Sequence, residues 1–161
     1  MPRIYSEGDN KMKILISVDG SDFSRAAVEE CCRVIAAPDE TAVKIVSFFE
    51  VVEPIDISIS PEFSQELETS ARKKAEDFAR EASAKIRERF PSIDLTTQIS
   101  AGAPERIIIE EAAEWKADLV VVGSHGRGFW SRMLLGSTTD SLVHQAPCSV
   151  LVVRKTNHES D

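Results

Sequence analysis

Four of the seven glycines in the chain are concentrated in one stretch, GSHGRGFWSRMLLGSTTDSL, which begins at Gly123. They are Gly123, Gly126, Gly128 and Gly136. An apolar run, ADLVVV, precedes this stretch and an amphipathic run follows it. Glycine adopts backbone angles closed to other residues and exposes its N–H group to an approaching anion. The spacing therefore indicates that an anionic ligand approaches the backbone here.

The end of the stretch adds a second anion-binding feature. Ser137 to Asp140 has the Ser-x-x-Asp form of a capping box, which predicts a helix that starts near Ser137. Gly136 lies just ahead of it, where free N–H groups and the positive end of the helix dipole favour phosphate, and Arg127 offers a charged contact. The connection is much longer than the ~2–6 residues of an ordinary βα loop. A tight turn is the alternative interpretation, but four glycines within fourteen positions favour phosphate binding.

Two known phosphate fingerprints do not fit. The dinucleotide pattern G-x-G-x-x-G has a near match at Gly126-x-Gly128-x-x-Ser131. It follows the fourth predicted strand instead of the first, and no acidic residue ends the next strand. The G-x-x-x-x-G-K-[ST] pattern is absent, so the sequence provides no P-loop lysine.

Alternating strands and helices predict the scaffold. Short apolar or alternating runs predict five strands, and amphipathic runs predict four helices. The first helix is capped by Ser21 or Asp22, and a proline-containing loop, 53–63, precedes the second. The order indicates an α/β protein with a doubly wound five-stranded parallel sheet, order 3-2-1-4-5. The predicted strands are 13–19, 42–52, 93–100, 118–123 and 149–155, and the predicted helices are 25–37, 64–90, 105–117 and 137–145.

Length and composition predict a single domain of 161 residues. We expect a flexible arm at 1–11, one nucleotide-binding α/β domain at 12–155 and a polar tail at 156–161. The net charge of −8 without a basic stripe argues against nucleic acid as a partner. No signal peptide or membrane-length apolar run is present, which predicts a cytoplasmic protein without a membrane partner. Three cysteines and three scattered histidines suggest no disulfide framework and no metal site.

The fold places the candidate ligand site. Doubly wound sheets bind ligands at the carboxyl ends of strands where the strand order reverses, here between strands 1 and 4. Asp19 ends strand 1 and Gly123 ends strand 4, so the two should meet at one crevice. Asp19 has a second interpretation as a simple cap at the start of the helix. His125 is interpreted as a solvated loop residue without a catalytic role.

These residues carry a family resemblance. Gly123-Ser-His-Gly126, then RGFWSRMLL, then Gly136-Ser137 resembles the glycine motif of the ATP-binding branch of the universal stress protein family. KILISVDGSDFS, AGAPERIIIEEA and HQAPCSVLVVR resemble the family's first strand, strand-3 exit and closing strand, so the resemblance covers nearly all of 12–155. It implies an adenine nucleotide alpha hydrolase-like fold that holds ATP, ADP or AMP, with Mg²⁺ or Mn²⁺ carried on the phosphates.

The resemblance also implies residue roles. Val18 and Asp19 would line the adenosine side, and Phe48 would read adenine through its backbone. Gly123, Gly126 and Arg127 would contact ribose and phosphates, and Ser137 and Thr138 would bind phosphate oxygens. The resemblance further implies a stress-response regulator and a homodimer that pairs through strand 149–155.

Three functions remain open at the level of the sequence. The first is a nucleotide-binding regulator with an unknown protein partner and slow hydrolysis at most, since the sequence shows no defined base and no obvious metal-binding acidic pair. The second is a slow ATPase or a nucleotidyl-transfer enzyme. The third is a nucleotide-free dimeric interaction module that uses the charged helix 64–90.

Overall fold

The computed structural model of the chain describes residues 11–51, 60–126 and 135–155. Five parallel strands form one sheet in the order β3-β2-β1-β4-β5. The predicted fold class and strand order are therefore confirmed. The strands are β1 (Met12–Ser17), β2 (Thr41–Phe49), β3 (Asp94–Ala101), β4 (Leu119–Gly123) and β5 (Ser149–Val153).

Four helices cover the two faces of the sheet. They are α1 (Asp22–Val34), α2 (Pro61–Arg89), α3 (Pro104–Glu114) and α4 (Ser137–Gln145), with a short 3-10 helix at Pro38–Glu40. No helix in the described ranges combines the length and the apolar composition that crossing a bilayer requires.

Two apolar cores result from the alternation of side chains along the buried strands. On one face, Ile14 and Ile16 of β1 pack with α1 and α2. On the other face, Leu15 of β1 packs with α3 and α4. All three side chains are fully buried, so β1 is fixed between the two layers and its carboxyl end is held rigidly.

The structure corrects several element boundaries by about three residues, and two of them lie close to a proline. Helix α2 begins at Pro61, inside the predicted loop 53–63, because Pro61 occupies the first turn and Ser60 caps the helix. Helix α1 ends at Val34, three residues before the predicted end, because Ile35 is extended and its side chain is buried in the core. In both cases a proline lay near the boundary, but the sequence did not show at which residue the helix begins or ends.

The adjacent cysteines of α1 serve packing. Cys31 and Cys32 are buried and not disulfide-bonded. Burial raises the pKa of the Cys31 thiol to about 12, and burial also raises the pKa of Cys32. Because the thiolate is the reactive form, burial makes both thiols unreactive.

Candidate functional site

A cavity of about 730 Å³ lies at the carboxyl ends of the strands, where β1 and β4 diverge. It is lined by the ends of β1, β2 and β4, the starts of α3 and α4, and one face of α2. Its volume lies within the roughly 300–1,000 Å³ typical of small-molecule sites. Seven of the nine residues predicted for the site line it: Asp19, Phe48, Gly123, Gly126, Gly136, Ser137 and Thr138.

The other two predicted residues are placed differently. Val18 is 2% exposed and packs in the core under α1 and α2, and it borders a separate cavity of about 80 Å³. Its side chain does not line the main cavity, because strand alternation turns it to the same face as Ile14 and Ile16. A contact between Val18 and a nucleotide stays a prediction. Arg127 lies outside the described residues.

Asp19 shapes the turn between β1 and α1 while lining the cavity. Its Oδ1 accepts a hydrogen bond from the Ser21 N–H at 2.9 Å. The helix cap is Ser21, whose Oγ accepts from the Ser24 N–H at 3.1 Å. The interpretation of Asp19 as a simple helix cap is therefore wrong, since its carboxylate orders the turn ahead of the cap and also forms part of the cavity wall.

The end of β2 offers backbone groups to the cavity. The Val18 N–H donates to the Val46 carbonyl at 3.0 Å, while the Gly102 N–H donates to the Phe49 carbonyl on the β3 side. Successive residues of a strand point their peptide groups to opposite sides. The peptide groups of Phe48 therefore face the β1 side, where β1 has already ended at Ser17.

The glycines act through close approach and not through unusual backbone angles. Positive φ angles among the described glycines occur at Gly20 and Gly102, so the predicted special angles at Gly123 and Gly126 are wrong. A Cβ on Gly123 would lie 2.7 Å from the main-chain carbon of Phe23 in α1. A Cβ on Gly126 would lie 3.1 Å from Asp19 Oδ2. The absence of a side chain at Gly123 thus allows α1 to pack against the end of β4. The absence of a side chain at Gly126 allows the loop to lie close to the Asp19 carboxylate.

The start of α4 differs from the predicted capping box. The N-cap is Gly136, with no side-chain cap, so Ser137 is the first helical residue. The Gly136 N–H donates to the Ser124 carbonyl at 3.0 Å, which makes this amide unavailable to a ligand. The first-turn amides of Ser137, Thr138 and Thr139 have no intrahelical acceptor. The amides suited to an anion therefore lie after Gly136.

Two hydroxyl residues that the sequence did not single out hold this arrangement together. Thr139 is 3% exposed, and its Oγ1 donates to the Gly123 carbonyl at 2.9 Å. Ser124 is buried, and its N–H donates to the Val153 carbonyl at 2.8 Å. The start of α4 is consequently fixed to the end of β4, and β4 to β5. The only sequence signal was their place beside the glycines, since Ser124 directly follows Gly123 and Thr139 lies three residues after Gly136.

His125 is oriented by two contacts. Its Nδ1 lies 2.9 Å from Ser124 Oγ, and its ring centroid lies 5.0 Å from that of Phe23. The side chain is half-buried and lines the cavity. The predicted solvated loop position is therefore wrong, because the packing of α1 against β4 brings the Phe23 ring to His125.

Helix α2 supplies a wall that sequence analysis missed. Its apolar residues recur at three- and four-residue spacing and form one stripe along the helix: Leu67, Ala71, Ala75, Phe78, Ala82 and Ile86. The structure places the N-terminal half of the stripe in the cavity and the C-terminal half in the core. The lining residues of α2 are Leu67, Ser70, Ala71, Lys74, Ala75 and Phe78.

Gly20 sets how closely this wall approaches. Gly20 has a φ of +76°, and a Cβ there would lie 2.3 Å from the Phe78 ring. The ring therefore rests directly on the glycine backbone at the end of β1.

The charges of the lining are mixed. Asp19 and Glu50 are acidic, and Lys74 is the only lysine or arginine among the described lining residues. No group of three or more His, Cys, Asp or Glu side chains in the described segments is arranged to hold a metal ion.

The strand order and the cavity at its reversal define a doubly wound α/β protein with a ligand-sized site at the switch point. Within that class the chain belongs to the universal stress protein family, because residues 11–154 match the family's sequence model.

Two curated relatives illustrate the match. Universal stress protein MJ0531 of Methanocaldococcus jannaschii is 32% identical over 157 residues, which cover 97% of this chain and 90% of that protein. A universal stress protein of Mycolicibacterium smegmatis is 32% identical over 150 residues. The match covers 91% of this chain but only 47% of the mycobacterial protein, so the chain spans about half of that relative.

Solved structures share the fold. The protein MJ0577 superimposes with a TM-score of 0.77 at 23% identity, covering 92% of this chain and 99% of that one. A universal stress protein in complex with cAMP superimposes with a TM-score of 0.66 at 25% identity, covering 91% of this chain and 99% of that one.

Proposed function

We propose that the protein binds an adenine nucleotide, ATP foremost, in the cavity between the ends of β1 and β4. The observation that carries this proposal is the meeting of Asp19, Gly126 and the uncapped start of α4 around one ligand-sized space. A helix start with open amides is suited to phosphate. The cAMP complex of the 25% identical family member supports an adenine nucleotide as the occupant.

In this proposal the residues divide by ligand moiety. Asp19 binds the ribose, and the outward peptide groups of Phe48 read the adenine. Gly126 and Arg127 contact ribose and phosphates, and Ser137 and Thr138 bind phosphate oxygens through hydroxyl and N–H groups. Gly123 and Gly136 act indirectly. Gly123 leaves room for α1 to pack against β4, and the Gly136 N–H donates a hydrogen bond to the Ser124 carbonyl.

A divalent cation fits the proposal as part of the ligand. The described lining carries two carboxylates against one lysine, which is a poor counter-charge for a triphosphate. Mg²⁺ or Mn²⁺ bound to the phosphates and keeping several waters would lower the ligand's charge. Asp19 and Glu50 are the described carboxylates able to accept hydrogen bonds from those waters.

The biological role we infer is that of a nucleotide-responsive stress regulator in the cytoplasm. Residues 12–155 form its nucleotide-binding domain, and an unidentified protein partner reads its state. Slow hydrolysis is compatible with this role. Fast turnover would instead favour the ATPase or nucleotidyl-transfer alternative.

The proposal is tested on the purified wild-type chain. We expect mass spectrometry of the denatured protein to find an adenine nucleotide, and calorimetry of the stripped protein with MgATP to show saturable binding. Phosphate release should be negligible over the time of the titration. Absence of both bound nucleotide and heat would contradict the proposal and favour the interaction module.

We further propose that the protein is a homodimer. Among the described residues, strand β5 pairs only with β4 and forms one edge of the sheet. An apolar edge strand is a template for a second copy. Val143 on the neighbouring helix α4 is 50% exposed.

The dimer has a simple test. The wild type should sediment as a dimer. Val143→Glu should shift the equilibrium towards the monomer, because it would bury a charge at the dimer interface. A wild type that is monomeric at all concentrations would refute the dimer.

A further inference from the structure

We propose that Lys74 of α2 contacts the phosphates of the bound nucleotide and makes affinity rise with phosphate charge. The inference rests on the proposed function and extends its site to a helix that carries none of the family's glycine motif.

The position of Lys74 on the helix is the first support. Ser70, Lys74 and Phe78 are spaced by four residues, so they share one face of α2, and all three line the cavity. Phe78 is fixed against Gly20 at the end of β1. The same helix face is therefore held over the carboxyl end of the sheet, and the lysine side chain is exposed within reach of the cavity.

The second support is that the charge of Lys74 is not used elsewhere in the described structure. Charged neighbours on α2 form ion pairs along the helix, Arg72 with Glu76 and Arg80 with Asp77. Lys74 forms no such ion pair with any described residue. A lysine beside a cavity without such a pair is available to a ligand anion.

The third support is charge balance. Lys74 is the only described lysine or arginine that lines the cavity, opposite the carboxylates of Asp19 and Glu50. The ammonium group is a flexible point charge, a form that suits phosphate. Since Coulomb energy scales with ligand charge, its contribution should be absent for adenosine, small for AMP and largest for ATP.

The test compares Lys74→Gln with the matched control Lys73→Gln. Lys73 is also exposed but does not line the cavity, because consecutive residues lie about 100° apart around a helix. Calorimetry with adenosine, AMP and ATP measures the affinity of each ligand for the wild type and both variants. ATP is titrated with and without Mg²⁺, because the bound cation lowers the charge of the ligand.

We expect Lys74→Gln to weaken ATP binding by about 5- to 10-fold, as for a charged hydrogen bond partly screened by solvent. Adenosine binding should be unchanged, and the loss should shrink at 1 M salt. Lys74→Arg should retain most of the affinity, and Lys73→Gln should behave as the wild type.

The outcomes separate this inference from the function it rests on. If the wild type binds ATP while Lys74→Gln and Lys73→Gln bind it equally well, the role of Lys74 is refuted and the proposed function stands. An equal loss for adenosine and ATP would assign Lys74 to structure instead of phosphate recognition. A wild type that binds none of the three ligands overturns the proposed function and this inference together.

Discussion

Gly123→Val is expected to destabilise the fold by about 3 kcal/mol or more, the upper end of overpacking costs. Even the first carbon of the new side chain would lie 2.7 Å from the Phe23 main chain. That neighbour is helix backbone, which cannot rotate away as a side chain can. The end of β4 and the start of α1 would have to separate, which would also strain the Thr139 bond to the Gly123 carbonyl.

Thermal unfolding measures this effect. For a chain of this length, such a loss lowers the Tm by roughly 6–12 °C, and low soluble yield would accompany it. Gly123→Ala should fall between the wild type and valine. A Gly123→Val protein as stable as the wild type would show that α1 does not pack against β4 as closely as the structure has it.

Gly126→Val is expected to have the opposite profile, with stability retained and nucleotide affinity lost. Gly126 is exposed at the cavity, and its nearest neighbour is the carboxylate Oδ2 of Asp19 at 3.1 Å from the added Cβ. The free protein can move that side chain slightly. In the proposed nucleotide complex the Asp19 side chain could not move in this way, because the ribose and phosphates would occupy the same space.

Calorimetry with MgATP and a melting curve test this profile together. An overpacking cost of about 1–3 kcal/mol that falls on the bound state weakens affinity by roughly 5- to 150-fold. Gly126→Ala is the graded control, since one methyl group needs only a small shift of Asp19. Unchanged affinity in the valine variant would remove Gly126 from the proposed site.

The different contacts of Gly123 and Gly126 show what the glycine motif could and could not predict. The sequence placed four glycines after a strand and before a helix, and this was enough to locate the cavity. It did not show that Gly123 serves α1, because that contact depends on where a distant helix packs. A glycine that is needed for close packing and a glycine that is needed for its backbone angles look identical in a sequence. Only the tertiary neighbours distinguish them.

The fold was more predictable than the site. Buried parallel strands appear as short apolar runs such as KILIS, and the alternation with helices fixes the class. Boundaries shifted where proline could either end or begin an element, as at Pro61. The roles of Ser124 and Thr139 were missed because the Ser124 N–H and the Thr139 hydroxyl both donate to backbone carbonyls, which every residue has.

Helix α2 was the largest omission at the site. Its residues are highly charged, so the composition did not distinguish Lys74 from the other two lysines of the helix. The sequence does not reveal which turn of a 29-residue helix faces the cavity. That register depends on the Phe78 ring resting on Gly20.

The contact between Phe78 and Gly20 has a consequence for related chains. A single hydrogen atom in place of a side chain sets how near the long helix lies to the sheet. In a relative with alanine or serine at this position, helix α2 should therefore lie farther from the sheet, and the entrance to the cavity should be wider. Exchanges at this one site offer evolution a way to adjust which molecule fits, without altering any atom that touches it.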